Sequence, residues 1–135
     1  EINAIVHTHG FWGTALAGLA RPLKIRHNLA CFFHEDQALS PDDSFASIGE
    51  AIGAANTIII PWHGCITVGS SIGRATALHQ TLEEMAKLDV TLEPSNAPEL
   101  PKEWRDKIKN LIDVEAHYLE QTWELMQRKI KDREN

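Results

Sequence analysis

Two apolar, β-branched runs in this chain end alike, in histidine followed by glycine: Ile5-Val6-His7-Thr8-His9-Gly10 and Ile58-Ile59-Ile60-Pro61-Trp62-His63-Gly64. Runs of this kind read as strands, and a strand sends side chains i and i+2 to one face. His7 and His9 can therefore grip one ion side by side while Thr8 points away. With His63 arriving from the second strand end, three neutral imidazoles make a divalent metal site. Imidazole suits zinc first, with manganese, cobalt or iron as substitutes, and three protein ligands leave a coordination position open for water or substrate. An open position points to catalysis. In a chain with seven histidines a lone His-X-His pair can arise by chance. The repeated layout separates this pair from chance, because glycine after each histidine admits close approach by backbone or ligand.

Both runs have to belong to one core. At 135 residues, 43% hydrophobic and 24% charged, the chain is long enough for one globular domain and short for two. Its start is abrupt: Glu1-Ile2-Asn3-Ala4 enters a core-type strand without an initiator methionine. Metal ligands on so exposed a strand would fray, so the chain is expected to be the C-terminal part of a larger domain. The net charge of −6 and the scattered basic residues give no cationic face for nucleic acid. An anionic substrate would need a local cationic site, such as the metal itself. Cys31 and Cys65 form neither a C-x-x-C motif nor a disulfide framework; they read as small core residues in a reducing cytoplasm. No apolar stretch reaches the roughly 18 residues of a membrane span, and nothing at the start resembles a signal peptide.

Between and beyond the two runs, period and punctuation predict the remaining elements. Gly10 to Ala20 is rich in small residues with Trp, Ala and Leu at helical spacing, a short packed helix that ends before Arg21-Pro22. Leu29-Ala30-Cys31-Phe32-Phe33 is expected to be a buried strand or extended segment, and His34-Glu35-Asp36-Gln37 a solvated loop. Ser40-Pro41 offers a cap and a first-turn proline for a helix through about Ala51. Gly64 to Gly69 reads as a strand returning from Thr57 to Pro61 through a tight turn. Ser70 or Ser71 caps a helix from about Ile72 to Leu88, with Ile72, Ala75, Leu78, Leu82 and Met85 as its core stripe. Residues 91–101 hold three prolines and read as a linker. A long amphipathic helix is expected within residues 102–135, from Lys102 to Lys131, folding back onto the domain or reaching a neighbouring subunit.

The order His7-Thr8-His9, a Gly/Ala helix, Pro22, a helix near Glu50, Pro61-Trp62-His63-Gly64, Val68-Gly69, and a helix with Ala75 and Leu82-Glu83 resembles the class II aldolase/adducin family. That family includes fuculose-phosphate and rhamnulose-phosphate aldolases, ribulose-phosphate 4-epimerase and several decarboxylases. The resemblance runs over residues 1–90. It implies an α/β fold, three layers α/β/α around a mainly antiparallel central sheet, here without the family's N-terminal part. It also implies a homo-oligomer, with a cyclic tetramer favoured, and His7, His9 and His63 as ligands of one divalent ion. The family's acid/base carboxylate and phosphate-holding loops lie upstream of His7 and have no counterpart in this chain. Trp62 departs from the small polar residue that many relatives carry there; packing is its expected role, and contact with an aromatic or compact substrate the alternative.

What the resemblance implies chemically is a lyase, acting on a small hydroxy-carbonyl or carboxylate substrate by aldol cleavage or decarboxylation through an enediolate or enolate. A separate acid/base group must then handle the hydroxyl proton. Within the chain the candidates are His34, Glu35 and Asp36, and Tyr118, since a C-terminal tyrosine reaches into a neighbour's site in some relatives. The remaining histidines, His27, His79 and His117, read as surface or satisfied side chains. Three alternatives stand beside the lyase: a sugar-phosphate epimerase of the same family, a noncatalytic adducin-like assembly domain, and a cupin-like oxygenase. Retention of all three histidines argues against the second. The uncharged helix after His9 argues against the third, because cupins place a carboxylate ligand shortly after their His-X-His.

Overall fold

In the computed structural model, which describes residues 1–114 and 117–134, the two histidine runs become strands of a single four-stranded sheet. Strand β1 spans Ala4–Thr8 and is followed by helix α1, Phe11–Gly18; β2 is Gln37–Leu39, α2 is Phe45–Ile52, β3 is Thr57–Ile60 and β4 is Gly64–Gly69. Helices α3, Ile72–Leu92, α4, Lys102–Val114, and α5, His117–Arg133, complete the chain. The sheet order is β1-β4-β3-β2. β4 runs antiparallel to both β1 and β3, whereas β2 joins β3 in parallel, so the sheet is mixed.

This topology places the site. Because β1 and β3 are both antiparallel to β4, they point the same way, and their C-terminal ends share one edge of the sheet. The strands alternate between two faces. Ile59 and Cys65 join the main core with Leu16, Phe33 and Leu82, under α1 and α3. Ile58 and Ile60 point away from that core, yet are 0% and 1% exposed, with α2 lying against β2 and β3. Helices therefore flank both faces, the expected three-layer arrangement.

Several local expectations are revised. Residues 28–33 form a 3-10 helix, Asn28–Phe33, rather than a strand, with the His27 side chain accepting from Leu29 N–H; a short apolar run fits either state, and here it folds where α3 and α4 close over it. His34 is not in a solvated loop: it is 6% exposed, with Nε2 at 2.7 Å from Asp106 Oδ1. The cap of α2 is Ser44, which accepts from Ser47 N–H, while Ser40 is buried and donates to the Asp42 carbonyl. Ser71 caps α3 as expected, but that helix runs on to Leu92. Pro94 then sits in a 3-10 turn, Glu93–Ser95, and the following segment is strapped to residues 25–26 by Leu100 N–H to Ile25 O and Arg26 Nε to Ala97 O. The expected long C-terminal helix is described as α4 and α5; its passage through residues 115–116 lies outside the described residues. α4 packs on the 3-10 helix and α5 on α3, with Leu119 2% exposed in the core, while Trp104, Leu111, Leu125 and Ile130 stay outside it, each about half exposed.

Both cysteines are free and buried. Burial pushes the Cys65 thiol up to about 12, with the nearby Glu83 charge adding to the effect. The nucleophile of a cysteine is its thiolate, so iodoacetamide at pH 8 should leave Cys31 and Cys65 unmodified in the native protein and label both in denaturant. Rapid native labelling of Cys65, read by mass spectrometry, would contradict its placement.

Candidate metal centre

Three ring systems meet at the shared sheet edge. His7 pairs with Ile66 across β1 and β4, His9 stands just past the end of β1, and His63 occupies the turn between β3 and β4. Their ring centroids are 4.8 to 5.3 Å apart, and one ligand nitrogen from each lies within 4.8 Å of the others. Two strands separated by a third are roughly 9 to 10 Å apart, so the imidazoles have to converge over the start of β4. Gly64 makes that possible. A Cβ there would fall 2.8 Å from the Thr8 carbonyl oxygen and 3.2 Å from the His9 ring.

One hydrogen bond sets the tautomer of the His7 ring. His7 Nδ1 lies 2.9 Å from the Cys65 carbonyl oxygen. A carbonyl only accepts, so Nδ1 carries the proton and Nε2 presents its lone pair. That Nε2 is 3.1 Å from His9 Nε2. Two nitrogens bound tetrahedrally to one zinc at its usual bond length would be about 3.3 Å apart, so the pair already has the spacing of shared ligands. Asp43 Oδ2 stands 3.7 Å from His63 Nδ1, beyond hydrogen-bond length but close enough to attract its proton. His7 and His9 are exposed and His63 partly so, which leaves the three rings open to solvent. Beside His9 and His63 an open pocket of about 350 Å³ is walled by Phe11, Thr14 and Ala15 of α1. Trp62 takes a left-handed φ of 58°, donates its backbone N–H to the Ala17 carbonyl, and is 78% exposed. It does not pack into its own core, contrary to the expected role.

The acid/base candidates fall elsewhere within the chain. His34 is tied to Asp106, and Asp36 accepts from Asn56 and faces Lys109 at 3.6 Å. Tyr118 tilts against Phe32, with ring centroids 5.5 Å apart. None of them lines the pocket beside His9 and His63. His34, Glu35 and Asp106 do form a second cluster of metal-ligand types, but Lys102 Nζ already donates to Asp106 at 2.7 Å and lies 4.0 Å from Glu35. The Lys102 hydrogen bond, then that of His34, holds the Asp106 carboxyl below the usual range. An ammonium supplies the positive charge there.

Residues 1–90 match the family model described as Class II Aldolase and Adducin N-terminal domain. The chain belongs to the class II aldolase and adducin family. An L-fuculose phosphate aldolase of Methanococcus maripaludis is 34% identical over 93 residues, covering 66% of this chain and 51% of that protein. Decarboxylase NovR of Streptomyces niveus is 25% identical over 107 residues, covering 73% of this chain and 40% of that protein. Among solved structures, the L-fuculose 1-phosphate aldolase of Glaciozyma antarctica PI12 superposes with a TM-score of 0.86 at 24% identity, over 97% of this chain and 54% of that one. An aldolase II superfamily protein of Pseudomonas syringae also gives 0.86, at 18% identity, over 98% and 57% of the two chains. At these identities the superpositions speak for the fold, and the chain spans about half the length of these relatives or less. In this class II aldolase family member, the three histidines that the sequence singles out come together at one end of the sheet. Sequence reasoning missed Glu83 as a partner of α1 and His79 as a partner of Thr8, although the two lie one turn apart on a helix the sequence predicts.

Proposed function

We propose that this chain is the metal-binding portion of a divalent-metal-dependent lyase, acting on a small hydroxy-carbonyl or carboxylate substrate by aldol cleavage or decarboxylation. The observation that carries the proposal is the meeting of three imidazole nitrogens within 4.8 Å at an open sheet edge. His7, His9 and His63 would hold one ion, zinc by the chemistry of the donor set, with manganese, cobalt or iron as substitutes. When bound, the ion supplies Lewis-acid polarisation of a carbonyl and its neighbouring oxygen. The chain's own part is preparation. The Cys65 carbonyl holds the proton on His7 Nδ1, keeping Nε2 free to coordinate, and Phe11, Thr14 and Ala15 wall the space in which substrate would sit.

The general acid/base has no counterpart among the residues beside this pocket, which favours a group contributed by another segment or subunit. Tyr118, packed on Phe32 in its own chain, would serve only across a subunit contact. The half-exposed Leu125 and Ile130 of α5 support a homo-oligomer, a tetramer in this reading. Among the described residues no helix is long and apolar enough to cross a membrane, in keeping with a cytoplasmic enzyme of small-molecule metabolism.

Aldehyde release and carbon dioxide release from a panel of sugar phosphates and hydroxy acids test the proposal, after metal is stripped with a chelator and then returned. Metal-dependent turnover in one assay is the expected result. A folded, zinc-loaded protein inert in both, with the partner segment supplied, would leave the adducin-like assembly reading in place.

A further inference from the structure

His9 is the ligand with the least support of its own. His7 is fixed by the Cys65 carbonyl and His63 faces Asp43, but among the described residues the His9 ring hydrogen-bonds only to His7. It also stands outside β1, beyond the last ladder pair at Thr8. Its position depends on the backbone of the turn from Thr8 to Gly13.

That turn is held from α3. Glu83 accepts from Trp12 N–H through Oε1 and from Gly13 N–H through Oε2, both at 2.7 Å. Helix α1 has glycine at its N-cap and no cap from its own side chains, so Glu83 supplies from across the core what a local Ser or Asp would otherwise provide. Charge-assisted bonds of this length at the positive end of a helix are strong and directional. One turn earlier on the same face, His79 holds the other side of His9. Thr67 donates to the Ala75 carbonyl and so accepts from His79 Nδ1, leaving His79 Nε2 to accept from the Thr8 hydroxyl at 2.7 Å. Thr8 in turn accepts from Gly10 N–H at 3.3 Å. The fit is tight: a Cβ on Gly10 would lie 2.7 Å from a Glu83 carboxylate oxygen.

We propose that Glu83, with His79, is a positioning clamp that sets where His9 presents its ring nitrogen, and so tunes the affinity and geometry of the metal site. The inference rests on the three histidines holding an ion. It makes α3 part of the site although none of its residues points at the pocket beside His9 and His63. Removing the clamp should let the start of α1 relax and carry His9 off the His7 nitrogen.

The test titrates zinc, and separately cobalt(II), into the wild-type chain, Glu83→Gln, Glu83→Ala and a remote control, Glu124→Ala on α5, an exposed residue outside both clusters. Loss of a supporting hydrogen bond around a metal typically weakens binding by about 10–100-fold. Glu83→Ala should fall in that range, and Glu83→Gln, which keeps one acceptor, should recover part of the loss. The cobalt absorption bands should move in the same order, while Glu124→Ala should leave both readouts at wild type. If Glu83→Ala does not fold, the near-isosteric Glu83→Gln decides alone. Wild-type affinity and spectrum in both Glu83 variants would overturn the clamp and spare the metal site. A wild-type chain that binds neither ion would overturn both.

Discussion

Alanine at both His7 and His63 should abolish divalent-metal binding while leaving the apo fold intact. The rings sit at the exposed end of the sheet, outside the main core under α1 and α3, so their loss opens no cavity there. The effect should be far larger than the roughly 10–100-fold attached to a supporting hydrogen bond, because two of three coordinate bonds disappear. Thermal unfolding gives the cleanest reading. A ligand present at about a thousand times its dissociation constant stabilises the native state by about 4 kcal/mol, which for a domain of this size is a shift of many degrees. The wild-type midpoint should rise by that order on adding zinc, and the midpoint of the double variant should not move. Stoichiometric metal retained by the double variant would remove these residues from the centre.

Asp89→Ala should be strongly destabilising, costing up to about 3–5 kcal/mol, because it removes the buried carboxylate against Arg26 and leaves that guanidinium only the partly exposed Glu93 as counter-charge. Asp89 is 1% exposed and accepts from Arg21 at 2.8 and 3.1 Å, from Arg26 at 2.6 Å and from Lys24 N–H at 2.9 Å. The Arg26 side chain is itself only 3% exposed. Arg21, at 20%, also reaches Glu93 at 2.6 Å and water; Arg26 would keep only its contact with the partly exposed Glu93, at 3.2 Å, and carbonyl oxygens. Against the total stability of about 5–15 kcal/mol usual for a domain, such a loss takes a third or more. Urea unfolding measures it. A double change, Asp89→Leu with Arg26→Leu, should recover part of the loss, since a buried ion pair replaced by apolar groups is often close to neutral. A single-variant loss below about 1 kcal/mol would show that Glu93 alone suffices as counter-charge for Arg26.

This stability effect and the proposed positioning clamp both come from pairs that the one-dimensional order conceals. Glu83 and Gly13 are 70 residues apart, and Asp89 and Arg26 are 63 apart. α3 carries three carboxylates, Glu83, Glu84 and Asp89, and the adjacent Glu83 and Glu84 end with different partners, the α1 amides and Gln80. Only the packing of α3 across α1 selects which one turns inward. The same reason explains the local revisions. Leu29 to Phe33 is an apolar run whose length suits strand or helix, and neighbours chose a 3-10 turn. β2 has three residues and exists only because β3 offers an edge for parallel pairing.

What the sequence by itself determined is everything that depends on spacing along one element. Alternation along β1 put His7 and Thr8 on opposite faces, with His9 next in line just past the last strand pair. β-branched runs made β1 and β3, and Ser71 started α3 at its observed first turn. Tertiary structure alone decided the rest. Inserting β4 antiparallel between β1 and β3 is what brings His63 to the same edge as His7 and His9, and closing α3 over α1 is what aims Glu83 at two backbone amides. Periodicity is a local property of the covalent chain. Convergence is a property of the packed core, in which residues far apart in sequence become neighbours only after the apolar faces have found each other.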